Sequence, residues 1–248
     1  MAFETDRGTW AQSRTDAAQI DVGLRQYMLR VYNFMASGLA LTGIVAALVA
    51  NTPALQALFF QVGANGAVGL SGPGWVALIA PVIMVFGLSM GINRMQASTA
   101  QGLFWAYAAL MGVSLAPTFL VYTGESVARV FFITAGAFAG LSLFGYTTKK
   151  DLTGFGSFLI IGLWGLVIAS VVNMFMASST LSFVTSVLGV LIFAGLTAYD
   201  TQKIKEMYWA NAGYETATKT AILGALSLYL DFINLFIMLM RFLGDRRN

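Results

Sequence analysis

Seven apolar runs, each long enough to cross a bilayer, divide this chain and leave room for one kind of architecture. A helix rises 1.5 Å per residue and needs roughly 20 apolar residues to cross about 30 Å of hydrocarbon. The runs 31–50, 75–92, 102–122, 127–146, 155–176, 183–201 and 221–242 meet that length. Lipid offers the backbone no hydrogen-bond partners, so such runs cross as helices that bond within themselves. The sequence therefore predicts an all-α polytopic membrane protein with seven transmembrane helices. Of its 248 residues 58% are hydrophobic and 10% charged, with a mean hydropathy of +0.75, which is more apolar than a soluble core of this length requires.

Residues 1–26 are polar and amphiphilic, without the short apolar core and small-residue cleavage site of a signal peptide. They form a polar N-terminal segment ahead of a membrane domain over 27–248. Segment 51–74 is rich in Gly, Asn and Pro and carries no charge, so it is expected to be the long outer loop, with a short interfacial piece at 55–60. Lys and Arg cluster at alternate ends of the runs. Arg7, Arg14, Arg25, Arg30, Arg94, Lys149, Lys150, Lys203, Lys205 and Lys219 fall on one side, and up to the sixth run only Arg129 falls on the other. The positive-inside rule then makes the N-terminus cytoplasmic. Arg241, Arg246 and Arg247 conflict with this if 221–242 crosses completely; the alternative is a re-entrant segment that returns to the cytoplasm. The length and continuity of that run favour the full span. The net charge of +3 resides in these polar segments, with no basic patch interleaved with exposed aromatics, and suits a membrane surface better than nucleic acid.

The chain has no Cys and no His. Disulfides, thiolate metal sites and the usual proton relay are excluded, so any proton chemistry must use carboxylates. Only two, Asp200 and Asp231, lie inside the apolar runs. An acid at the bilayer centre costs about 2.5–3.5 kcal/mol on insertion scales, so such residues face a protein interior or a water-filled path. If the sixth helix continues to about Trp209 and the seventh begins near Ala221, each acid sits about 14–15 Å from the turn between them. They then stand at one level on antiparallel neighbours. Two carboxylates in contact in a low-dielectric interior do not both ionise cheaply, so they share a proton and form a pH switch without histidine. The plainer alternative is a protonated pair that only bonds two helices together.

Other features are read more plainly. Gly136 with Gly140, and Gly112 with Ala116, have the spacing that lets helix backbones approach closely. Pro81 and Pro117 lie within spans, where each frees a carbonyl for a neighbour to satisfy. Asn173 is expected to make an interhelical hydrogen bond. Ser227 and Asn234 share a helix face with Asp231 and would form a polar strip around it.

The stretch 198–208, AYDTQKIKEMY, followed by 225–236, ALSLYLDFINLF, resembles the signature of the Bax inhibitor-1 family, the transmembrane Bax-inhibitor-motif proteins. The KKDL at 149–152, the late Pro117 and the polar start fit as well, so the resemblance covers nearly the whole chain and is strongest after Asp151. The short polar start and plain loops look like the bacterial branch, whose members are inner-membrane proteins. The resemblance implies a central last helix wrapped by two groups of three, and a pH-sensitive leak of calcium ions, with no further cofactor. It implies that Asp200 and Asp231 are the proton-sharing pair and a calcium site. It also implies an arginine, which counting back from Pro117 places at Arg94, that exchanges partners with Asp200; a positive-inside anchor is the other reading of Arg94.

Two further readings compete. An intramembrane aspartyl protease also uses two acids on adjacent spans, with a Tyr before the first, as Tyr199 here. Such proteases carry glycines before the second acid, where this chain has Leu228, Tyr229 and Leu230, and a Pro-Ala-Leu triplet that is absent. The resemblance also suggests an interaction protein that restrains a membrane quality-control protease, with 1–26 as the contact. A retinal protein is excluded because the last run has no Lys for a Schiff base.

Overall fold

The computed structural model describes residues 3–62 and 68–247, with side chains described over 22–61 and 69–247. The proposed contact segment 1–26 therefore lies mostly outside the described side chains. In chain order the elements are α1 (Phe3–Asn51), α2 (Pro53–Phe59), β1 (Phe60–Val62), β2 (Val68–Leu70), α3 (Gly72–Gly91), α4 (Ala97–Val121), α5 (Gly124–Thr147), α6 (Thr153–Met176), α7 (Ser179–Glu206) and α8 (Tyr214–Leu243). A 3-10 turn, Ile92–Arg94, ends α3. Among the described residues seven helices are long and apolar enough to cross a membrane: α1 over Val22–Asn51, then α3 to α8. The uncharged segment 51–74 folds as the short helix α2 and the antiparallel hairpin β1–β2, with Phe60 opposite Leu70.

Helix ends follow local chemistry. Ser71, Thr123 and Ser178 accept from the backbone N–H three residues on and so start α3, α5 and α7. Asp151 accepts from the Thr153 N–H at 2.8 Å where α6 begins. Between α6 and α7 the chain reverses through Ala177, held at φ 49°, and Asn173 Oδ1 accepts from the Ser178 N–H at 3.0 Å. Asn173, one turn from the end of α6, thus joins that helix to the capping residue of α7 and closes this turn. Pro81 stands inside α3 and removes the N–H that would bond to Ala77. The freed Ala77 carbonyl accepts from Ser114 Oγ of α4 at 2.7 Å.

The long helices other than α8 pack in two groups of three. α4 packs on α1 and α3, α7 packs on α5 and α6, and α8 lies against α1, α4, α5 and α7. It is the most enclosed span, with 67% of its most apolar window buried against 17% for α6. The faces of α6 present Phe158, Ile161, Trp164 and Ile168 outward, as a lipid-facing helix does. At the centre Thr42 of α1 donates to the Ala108 carbonyl of α4 and bonds the Tyr229 hydroxyl of α8 at 2.6 Å. Gly112 permits the approach of α4 to α1, since a methyl there would meet the Thr42 carbonyl and Val45 at 2.7 Å. Gly136 and Gly140 differ: nothing lies within 4 Å of a methyl at either, so this pair serves no helix contact among the described residues.

The last helix is continuous from Tyr214 to Leu243, with no re-entrant turn, and runs the length of the bundle. Beyond it the Arg247 N–H bonds the Val121 carbonyl, the Thr123 N–H bonds the Asp245 carbonyl, and Arg129 pairs with Asp245 at 2.7 Å. The tail is thus clasped to the α4–α5 turn, at the end opposite the α7–α8 connection. The ends of α7 and α8 at their connection depart from the expected ones. α7 stops at Glu206 and α8 starts at Tyr214, so Asp200 lies six residues and Asp231 seventeen from those ends, about 9 and 25 Å along the helices. The polar first turns of α8 project beyond α7 to meet other partners. Glu215 accepts the Ala97 N–H at the start of α4, and Arg30 of α1 donates to Thr218.

Candidate functional site

The line of contact between α7 and α8 brings the two acids together despite their unequal depths. Gly224 accommodates Ile204 and Gly189 accommodates Met238, which fixes the register of the antiparallel pair. On its far side α7 is seated by two more glycines. A methyl on Gly145 of α5 would collide with the backbone of Ala198, and one on Gly156 of α6 with the ring of Tyr199. Asp200 is therefore preceded by two residues whose positions are set by contact with neighbouring helices.

The Asp200 and Asp231 carboxyl groups lie within hydrogen-bonding reach of each other. Asp231 is buried, 5% exposed, and Asp200 is half-buried. Asp231 Oδ2 is shut off from solvent and has no donor among the described residues. A buried acceptor pair of this kind is satisfied when one acid carries a proton and donates it to the other.

Both acids line a cavity of about 940 Å³ between α6, α7 and α8. Ser227 and Asn234 line it too, so the structure gathers Asp200, Asp231, Ser227 and Asn234 in one place. Arg94 does not join them. It is exposed in the turn after α3, off the cavity, and makes no ion pair among the described residues. The cation beside Asp200 is Lys203, whose Nζ lies 6.0 Å over the Tyr199 ring. Lys203 is three residues from Asp200 on one helix face, so that spacing could have identified it. At the other end of the cavity stands Arg241, ten residues beyond Asp231.

Gln202 also escaped the sequence reading. Its Oε1 accepts from the Leu152 N–H and its Nε2 donates to the Lys150 carbonyl, both at 2.8 Å. It therefore clamps the KKDL turn onto α7 two residues from Asp200. Next to it Tyr32, Ser142 and Thr201 form a hydroxyl chain across α1, α5 and α7, with bonds of 2.6 and 2.9 Å. No sequence spacing announces either contact.

As a metal site the pair is lean. No cluster of three or more Asp, Glu, His or Cys occurs among the described residues. Two carboxylates supply at most four oxygens, fewer than the six to eight that Ca²⁺ takes.

A membrane-embedded bundle of seven helices, with paired acids at the contact of the last two, defines a polytopic protein with an intramembrane carboxylate site. The profile of the family described as inhibitor of apoptosis-promoting Bax1 matches residues 24–248. The uncharacterized protein RP147 of Rickettsia prowazekii is 50% identical over 228 residues, covering 92% of this chain and 93% of that protein. Inner membrane protein YbhL of Escherichia coli K12 is 45% identical over 237 residues, covering 94% and 98%. The chain belongs to the Bax inhibitor-1 family.

Proposed function

We propose that the protein is a pH-sensitive leak pathway for cations, with calcium as the passing ion, gated by the Asp200–Asp231 pair. The observation that carries this reading is the meeting of two intramembrane carboxyl groups on the wall of a 940 Å³ cavity. With one proton between them the acids bond each other and hold α7 to α8. Without it two like charges face each other at close range, and separation or a cation relieves the repulsion. Calcium, a hard cation, suits carboxylate oxygens and enters as substrate. The location of YbhL, named an inner membrane protein, supports placing this chain in a bacterial inner membrane, with the lysine-bearing ends of the helices in the cytoplasm.

In this reading Arg94 takes part only after movement. An exchange of Asp200 from Asp231 to Arg94 requires the end of α3 to approach α7, which it does not touch closely in this conformation. Before that exchange the cation beside Asp200 is Lys203. The testing experiment is calcium influx into proteoliposomes of the purified protein, titrated from about pH 5 to pH 8. Protein-dependent influx that changes with pH supports the pathway. Influx no greater than into empty liposomes throughout that range removes it.

A further inference from the structure

We infer that Leu166, Phe193 and Met238 form an apolar neck that decides what passes along the cavity. The inference rests on the leak reading for its functional meaning, and its geometry stands apart from it. Three helices contribute one side chain each, and all three are buried: Phe193 is 5%, Leu166 6% and Met238 9% exposed. Leu166 and Met238 converge at Gly189, and Phe193 lines the same cavity. A methyl on Gly189 would meet Met238 Cγ and Sδ at 2.8 Å and Leu166 Cδ2 at 3.4 Å, with Phe193 one turn along the same helix.

Polar side chains line the cavity on both sides of this point. Towards Lys203 lie Asn234, Asp231 and Asp200, and towards Arg241 lie Ser170, Ser182 and Thr185. On α8 the positions 227, 231, 234, 238 and 241 recur at intervals of four and three and form one stripe. Met238 is the apolar member of that stripe, midway between Asn234 and Arg241, which stand seven residues or about 10 Å apart. An apolar constriction between two polar stretches of one path excludes ions by dewetting, with no charge needed to repel them. Gly189 is the element that lets the neck close, because any larger residue would displace Met238.

The absence of native cysteine makes the test direct. Single substitutions Asn234→Cys and Ser182→Cys flank the neck, and a membrane-impermeant thiol reagent is added to either face of sealed proteoliposomes. Ser182→Cys should react from the Arg241 side alone, and Asn234→Cys from the Lys203 side alone. Adding Leu166→Ser and Met238→Ser should open Asn234→Cys to the Arg241 side and raise calcium influx at least tenfold at the pH where the parent leaks least. Met238→Leu, which keeps the neck apolar, should do neither and serves as the folding control. Reaction of Asn234→Cys from the Arg241 side with the neck intact overturns the inference, as does unchanged labelling after both serine substitutions. Labelling reads the neck without ion flow, so the two readings fail separately. Labelling as expected with no influx in any variant rejects the leak alone, and parental influx with two-sided labelling rejects the neck alone.

Discussion

Gly145 of α5 lies directly against the backbone of Ala198, two residues before Asp200 on α7. The acid pair therefore depends on a helix contact that admits no side chain. Gly145→Ala should force α5 and α7 apart. An overpacked helix contact costs about 1–3 kcal/mol, and here the displaced element carries Asp200. Thermal unfolding in detergent should show the loss, and the pH response of calcium influx should weaken with it. An unchanged midpoint and response would mean that the α5–α7 spacing does not position the acid.

Pro81 and Ser114 offer a cleaner test of packing. Ser114→Ala strands the Ala77 carbonyl that Pro81 has freed, and a buried unsatisfied acceptor costs about 1–3 kcal/mol. Pro81→Ala restores the helical donor, so the serine substitution should become nearly neutral in that background. A double-mutant cycle in chemical unfolding measures the coupling. Additive effects would show that the hydroxyl does not serve the proline gap.

Gln202→Ala should remove both bonds to the KKDL turn, a loss of about 1–3 kcal/mol for two hydrogen bonds. Hydrogen exchange across 148–152 should quicken, while the distant α3–α4 contact keeps its protection. Equal exchange in both proteins would assign the order of that turn to other contacts, such as Asp151 on Thr153.

The clasp at the tail should prove mostly a backbone matter. Arg129 and Asp245 are 49% and 67% exposed at their side chains, so their pair is screened and Arg129→Gln should cost less than about 1 kcal/mol. Deleting 244–248 removes the bonds to Val121 and Thr123 as well, and should lower the unfolding midpoint clearly more. Equal losses would mean that the ion pair carries the clasp.

The spans were legible because roughly 20 apolar residues in a row admit one structure in lipid. The acids were legible because charge there is expensive. Helix ends were less so. Polarity from Tyr214 to Thr220 reads as a linker, yet these residues extend α8 because Glu215 and Thr218 find partners on α4 and α1. Small-residue spacing could not tell Gly112, which meets α1, from Gly136, which meets nothing among the described residues, since the pattern is the same and the partner lies far off in sequence. Arg94 was placed by likeness to a motif, whereas Lys203 takes the position beside Asp200 by lying one turn away on the same helix.

The central claim is that the proton held between Asp200 and Asp231 controls passage. Its most direct measurement is calcium influx against pH for the parent, Asp200→Asn and Asp231→Asn in matched proteoliposomes. Asparagine keeps the shape and a donor but carries no titrating proton, so each variant should show influx that no longer varies from about pH 5 to pH 8. A parental pH response that persists in both single variants would contradict the account and place the sensing group elsewhere.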